Sequence, residues 1–159
     1  MELNCPGPPR PPDELAESLW WLLARAGHHV GNALHGALAA VGLTGRELCV
    51  LSVAAPGPRP QMAIAAAAGL DKTTMVAAVD ALERRGLVRR EQDPDDRRVR
   101  LVAVTADGLQ LLAQASAAAG HVERQLLVAL PTGDRGRLVA LLRAFVTAGP
   151  GGPTSGSCV

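Results

Sequence analysis

Asp80-Ala81-Leu82-Glu83-Arg84-Arg85-Gly86-Leu87-Val88-Arg89-Arg90, then Glu91-Gln92-Asp93-Pro94-Asp95-Asp96-Arg97-Arg98, then Val99-Arg100-Leu101-Val102-Ala103-Val104 decides the fold of this chain. The first segment ends a helix at Gly86, since glycine readily takes the left-handed conformation that closes one. Residues 87–90 and 99–104 are β-prone, and the polar, proline-containing run 92–98 between them is a turn. Together they predict a β-hairpin.

Working upstream, Asp71 caps a helix over 72–85 with Val76, Val79 and Leu82 facing inward. A shorter helix covers 60–68 and stops at Gly69. Before it, Thr44-Gly45-Arg46-Glu47 is a capping box. The hydroxyl takes an orphan amide, and the glutamate reaches back to the cap residue. Leu48, Val50 and Leu51 follow on a short helix that Pro56-Gly57-Pro58 stops. The first helix is expected over 14–41, capped by Asp13 and ended by Gly42, with Leu15, Leu19, Leu22, Leu23, Val30, Leu34, Leu38 and Val41 in its apolar stripe.

Downstream, Thr105 caps a helix over 106–130 in which Gly120 is a weak spot. Thr132 opens the last helix, with Leu138, Leu141, Leu142, Phe145 and Val146 on one side. The proline-rich segment 1–12 reads as a disordered lead-in, and 149–159 as a flexible tail. The fold class is therefore mainly α with a small β-hairpin wing. A winged helix-turn-helix at about 44–104 is flanked by helices 13–41 and 105–148, which must bury their apolar faces somewhere.

Composition agrees. The chain has 159 residues and only three aromatic ones, Trp20, Trp21 and Phe145, so its core is built from Leu, Val and Ala in close-packed helices. Net charge is +1, which announces no nucleic-acid partner in bulk. The distribution does. From residue 84 to 100 stand seven arginines (84, 85, 89, 90, 97, 98, 100) against four acids (Glu91, Asp93, Asp95, Asp96). Cationic charge thus gathers on the hairpin and its approach.

Residues 44–51, 63–70, 71–90, 93–98 and Val104-Thr105-Ala106-Asp107-Gly108 resemble the MarR (multiple antibiotic resistance regulator) family, and the likeness extends over about 14–148. It implies a DNA-binding regulator that grips near-palindromic duplex DNA as a two-fold homodimer, through dimerisation helices at 13–41 and 105–148. It implies a ligand-responsive repressor. A ligand-independent regulator or activator, or a winged-helix protein-interaction module with weak DNA binding, stays open.

The physics of the residues fits DNA contact. Lys72, Thr73 and Thr74 open the helix that such a fold presents to the major groove, where they can meet phosphates or base edges. Asp96 and Arg98 are two apart and point the same way on an extended wing. Asp96 can then hold the Arg98 guanidinium for entry into a narrow minor groove, as an Asp-x-Arg on the wing does in the family; Arg97 is the second choice. Ala77, Ala78 and Ala81 are expected on the solvent side of the same helix. Long readers of base edges are then missing there, and phosphate contacts and DNA shape supply much of the affinity.

On the first helix, Trp21, Arg25, His28, Asn32 and His35 recur at helical steps, with Trp20 beside them. A cation, imidazoles and an indole suit a small aromatic or anionic effector, the kind of ligand that regulators of this resemblance bind. A wetted helix face, or the polar part of a dimer contact, fits the stripe as well. His28 and His35 are seven residues apart, too far along a helix to share one ion, so no metal is expected. No cofactor is expected either.

Cys5, Cys49 and Cys158 make no disulfide framework and fit a reducing cytosol. Cys49 reads as a small apolar helix residue. The N-terminus lacks a secretory pattern, and no apolar stretch spans a membrane. No nucleophile elbow, phosphate-binding glycine loop or zinc-protease motif is present, so no enzyme is expected.

Overall fold

Three helices end in the same way, and those ends set the core. At the close of the helix carrying Leu82, Gly86 takes φ 71° and donates its amide to Glu83 O at 2.9 Å, and Leu87 N donates to Leu82 O at 3.0 Å. This double bond pattern satisfies the last carbonyls and turns the next leucine back onto the helix it has just left. The pattern repeats where Leu43 N meets Leu38 O at 3.0 Å and where Leu70 N meets Ala65 O at 2.9 Å. Leu43 and Leu87 are buried and Leu70 packs at the core edge.

The structure, a computed structural model, describes residues 13–96 and 98–148. Its elements are α1 (Asp13–Ala16), α2 (Leu19–Ala40), α3 (Gly45–Ala54), β1 (Arg59–Pro60), α4 (Gln61–Ala68), α5 (Lys72–Arg84), β2 (Val88–Gln92), β3 (Arg100–Val104), α6 (Ala106–Leu126) and α7 (Thr132–Ala148). The segments expected to be disordered, 1–12 and 149–159, lie outside the described residues.

The core gathers Leu38 of α2, Val50 and Leu51 of α3, Ile64 of α4, Met75, Val79 and Leu82 of α5, Val88 and Val102 of the sheet and Ala115 of α6. Each such leucine, valine or isoleucine contributes about 1.5–3 kcal/mol by leaving water. Among the described residues no single helix is long and apolar enough to cross a membrane.

Three expectations are corrected and one is extended. The single helix over 14–41 is two, α1 and α2, because Ser18 adopts an extended backbone (φ −77°, ψ 116°) and breaks the run. Serine is at home at such a cap and only moderately so in a helix interior. The expected hairpin is formed by β2 and β3, paired antiparallel from Val88 opposite Val104 to Gln92 opposite Arg100, and a further strand extends it to a three-stranded sheet in the order β1-β3-β2. β1 pairs Arg59 with Val102 and Pro60 with Leu101. Two residues carry no readable alternation, and a proline is tolerated there because the strand is an edge. The fifth helix ends at Leu126 instead of 130; residues 127–130 form a turn, with Leu130 N on Leu127 O at 3.1 Å. The residue before Pro131 is pushed away from helical backbone.

The third correction concerns α5. Met75, Ala78, Val79 and Leu82 face the core, whereas Val76 is 37% exposed. Ala77 is exposed as expected, Ala78 is buried and Ala81 is half-buried. Spacing of three and four from Met75 selects the buried face, and a face through Val76 would have carried Asp80 and Glu83 into the core.

Candidate nucleic-acid interface

α5 begins with a built cap. Asp71 Oδ1 accepts from Thr74 N at 2.9 Å, and Asp71 Oδ2 accepts from the Thr74 hydroxyl at 2.6 Å. Those bonds hold the Asp71 carboxyl below its ordinary pKa. Lys72 and Thr73 are exposed at the same end. Thr74 is half-buried and gives its proton to Asp71. Of the three residues expected to meet DNA here, Lys72 and Thr73 therefore keep their donors for a ligand, and Thr74 offers an acceptor only.

The sheet is tied to α5. The Arg90 guanidinium bonds to Asp80 and Glu83, while Arg90 N donates to Glu83 Oε1 at 3.0 Å. Burial opposes the charge of Arg90, but the two carboxylates outweigh it and raise its pKa further. Glu83 therefore grips both the backbone and the side chain of one β2 residue. Arg89 pairs along its own strand with Glu91.

At the tip of the wing, Asp93 Oδ1 accepts from Asp95 N at 2.9 Å, and Asp96 Oδ1 accepts from Arg98 N at 2.9 Å. Asp96 thus fixes the backbone of Arg98. The guanidinium expected to sit on that carboxylate has no hydrogen-bond or ion-pair partner among the described residues, and Arg98 is exposed. Two residues apart in a turn, unlike in a strand, side chains do not share a direction, and a short aspartate reaches the nearest amide first. Arg97 lies outside the described residues.

The stripe on α2 is only partly gathered. Arg25 lies over the Trp21 ring at 5.2 Å, and Asn32 Nδ2 is 2.9 Å from His28 Nε2. Trp20 is exposed beside them. His35 lines a cavity of about 240 Å³, where Leu34 and Leu38 of α2 face Thr44, Gly45 and Arg46 of α3. A second cavity of about 340 Å³, walled by Thr44, Arg46 and Glu47 on one side and Thr73, Thr74 and Ala77 on the other, lies against α5. Arg46 and Thr44 belong to both. The capping box expected at Thr44 is formed, and its Glu47, 7% exposed, also pairs with Arg85 at 3.4 Å. Sequence reasoning did not single out Arg46 as a candidate; the only signal was its place two residues after the Thr44 cap.

Among the described residues no cluster of three His, Cys, Asp or Glu could hold a metal ion, and Cys49 is half-buried on α3. α7 buries none of its residues fully: Leu141, Phe145 and Val146 are exposed, at 60%, 56% and 77%.

Comparison with known proteins fits this geometry. A family model described as "MarR family" matches residues 41–99. The transcriptional regulator HosA of Escherichia coli O111:H- is 35% identical over 107 residues, which is 67% of this chain and 79% of that protein. The transcriptional repressor CouR, solved bound to a 23-mer DNA duplex, superposes with a TM-score of 0.80 at 32% identity, covering 87% of this chain and 99% of its own. CouR from Rhodococcus jostii RHA1 bound to p-coumaroyl-CoA superposes with a TM-score of 0.76 at 31% identity, covering 89% and 100%.

Proposed function

This chain belongs to the MarR family of DNA-binding transcriptional regulators, which are not enzymes, and from that premise we propose that it is a ligand-responsive repressor that binds a near-palindromic operator in the cytoplasm as a homodimer. The observation that carries the reading is the pairing of two features. A helix end with exposed Lys72 and Thr73 is tied through Arg90 to a wing bearing the exposed Arg98. Such a unit presents one element to the major groove and the other to the neighbouring minor groove. Residues of about 44–104 form the DNA-binding part, with the helices before and after it as the dimerisation part. The exposed apolar face of α7 supports a second copy: an isologous contact would cover it and set the distance between the two reading heads.

The test is binding to duplexes from beside the chain's own gene. We expect two chains per duplex and sequence-selective binding. Affinity should fall roughly a thousandfold from about 50 to 200 mM salt, as for six or so phosphate contacts. Weak, salt-indifferent binding would instead favour a protein-interaction module.

The effector we assign is an aromatic carboxylate or its anionic derivative, seated between α2 and α3. Arg46 and His35 supply donors there and Leu34 an apolar wall. CouR, which is similar in sequence and fold, was solved with an aromatic acyl thioester. Trp20, Trp21, Arg25, His28 and Asn32 continue the same helix away from that cavity, for the more distant part of a longer ligand. Because Arg46 also borders the cavity against α5, a ligand that draws it changes the packing behind the reading helix. We expect His35→Ala to raise about tenfold the concentration of an aromatic acid needed to release DNA, a loss in keeping with one hydrogen bond to a charged group. An unchanged release curve would remove this cavity from the proposal.

A further inference from the structure

The outward face of the second turn of α5, at Val76 and Ala77, is apolar. Val76 and Ala77, with Lys72, Thr73 and Asp80, wall an open depression of about 530 Å³ on the surface of the helix. Between Thr73 and Asp80 the one polar side chain is Thr74, half-buried with its hydroxyl donated to Asp71, and the Asp80 carboxylate is engaged by Arg90. Val76 keeps 37% of its surface exposed, and a β-branched residue is a poor choice for a helix position at the surface, since it loses side-chain freedom there. In the major groove the situation reverses. The one apolar group that base-pair edges display there is the C5 methyl of thymine.

We propose that Val76, flanked by Ala77, is a specificity-determining residue that reads the C5 methyl of thymine in each half-site. The inference rests on the DNA-binding reading above and narrows it: specificity at these positions comes from shape and apolar contact, not from hydrogen bonds to base edges. Lys72 fixes the phosphate beside the methyl and Val76 tells thymine from cytosine. A cytosine methylated at C5 regains the contact.

The experiment begins with a preferred duplex selected by the full-length protein from a randomised pool. Each thymine is then replaced singly by uracil, which deletes the methyl and keeps the pairing. Wild type is expected to lose about fourfold in affinity at one or two thymines per half-site, the worth of one buried methyl. Val76→Ala is expected to bind thymine and uracil equally there, with the melting temperature within a few degrees of wild type because the higher helix propensity of alanine offsets the small apolar area lost. Uracil tolerated everywhere by a still selective wild type overturns the inference and leaves the DNA-binding reading intact. So does a uracil penalty that persists undiminished in Val76→Ala. If no duplex is preferred over random DNA, both fall together.

Discussion

Gly108→Ala is expected to destabilise this protein by about 3 kcal/mol or more, at the upper end of what overpacking a rigid site does. Gly108 sits in the first turn of α6, where its amide donates to the Thr105 hydroxyl at 3.1 Å. A Cβ there would stand 2.1 Å from the carbonyl oxygen of Leu87 and 2.7 Å from Val104 Cγ1. Neither neighbour is free to move. The Leu87 oxygen accepts from Thr105 N at 3.0 Å, and the Leu87 side chain is core. Val104 is the last residue of β3. Relief therefore means pulling α6 away from the base of the wing, which breaks the Thr105 bonds to both Gly86 and Leu87.

In a chain of this size the melting temperature should drop by roughly 10 °C. Gly120→Ala in the same helix is the control. Its Cβ would meet only the tip of Arg124, at 3.4 Å, and removing a helical glycine should stabilise by up to about 1 kcal/mol. A Gly108→Ala melting curve within a degree or two of wild type would mean that α6 does not press on the wing as described.

Arg98→Ala should weaken operator binding about ten- to a hundredfold, the span for losing one well-placed guanidinium. It should also lower the salt slope by about one. Among the described residues of the wing tip Arg98 is an exposed cation, whereas Arg89 and Arg90 are engaged with carboxylates. Arg98→Lys should recover only part of the loss, because an ammonium lacks the flat, weakly hydrated head suited to a narrow groove. Asp96 gives a finer discrimination. Its carboxylate holds the Arg98 amide, so Asp96→Asn, which keeps an acceptor oxygen, should bind nearly as well as wild type. A carboxylate bracing the guanidinium would make that variant weak. Unimpaired binding by Arg98→Ala would take the wing out of the interface.

Much of this was legible before any coordinates. The capping box at Thr44, the caps at Asp71 and Thr105 and the stops at Gly42, Gly69 and Gly86 are local devices, and the structure contains each of them. Strand pairing around 93–98 is likewise encoded within a few residues. What was misread is the rotation of α5. Hydrophobicity alone favoured Val76 as core, but the period through Met75, Ala78, Val79 and Leu82 was already in the sequence. Other features were beyond local reading. Arg59–Pro60 becomes a strand only because β3 has a free edge beside it. Arg46 becomes part of a site only when α2 and α3 close a cavity around it. The clamp on Arg90 joins residues seven and ten positions away, across the turn at Gly86.

That clamp limits how the molecule can be switched. With Glu83 and Asp80 both holding Arg90 of β2, the helix and the wing are coupled, and bending either alone would give up three charge-assisted hydrogen bonds. In the homodimer proposed above, a signal arriving at the outer helices would therefore leave each prong's shape largely untouched and change its separation and tilt relative to its twin. The molecule would act as a pair of calipers, losing its grip when the jaws no longer match one turn of the double helix.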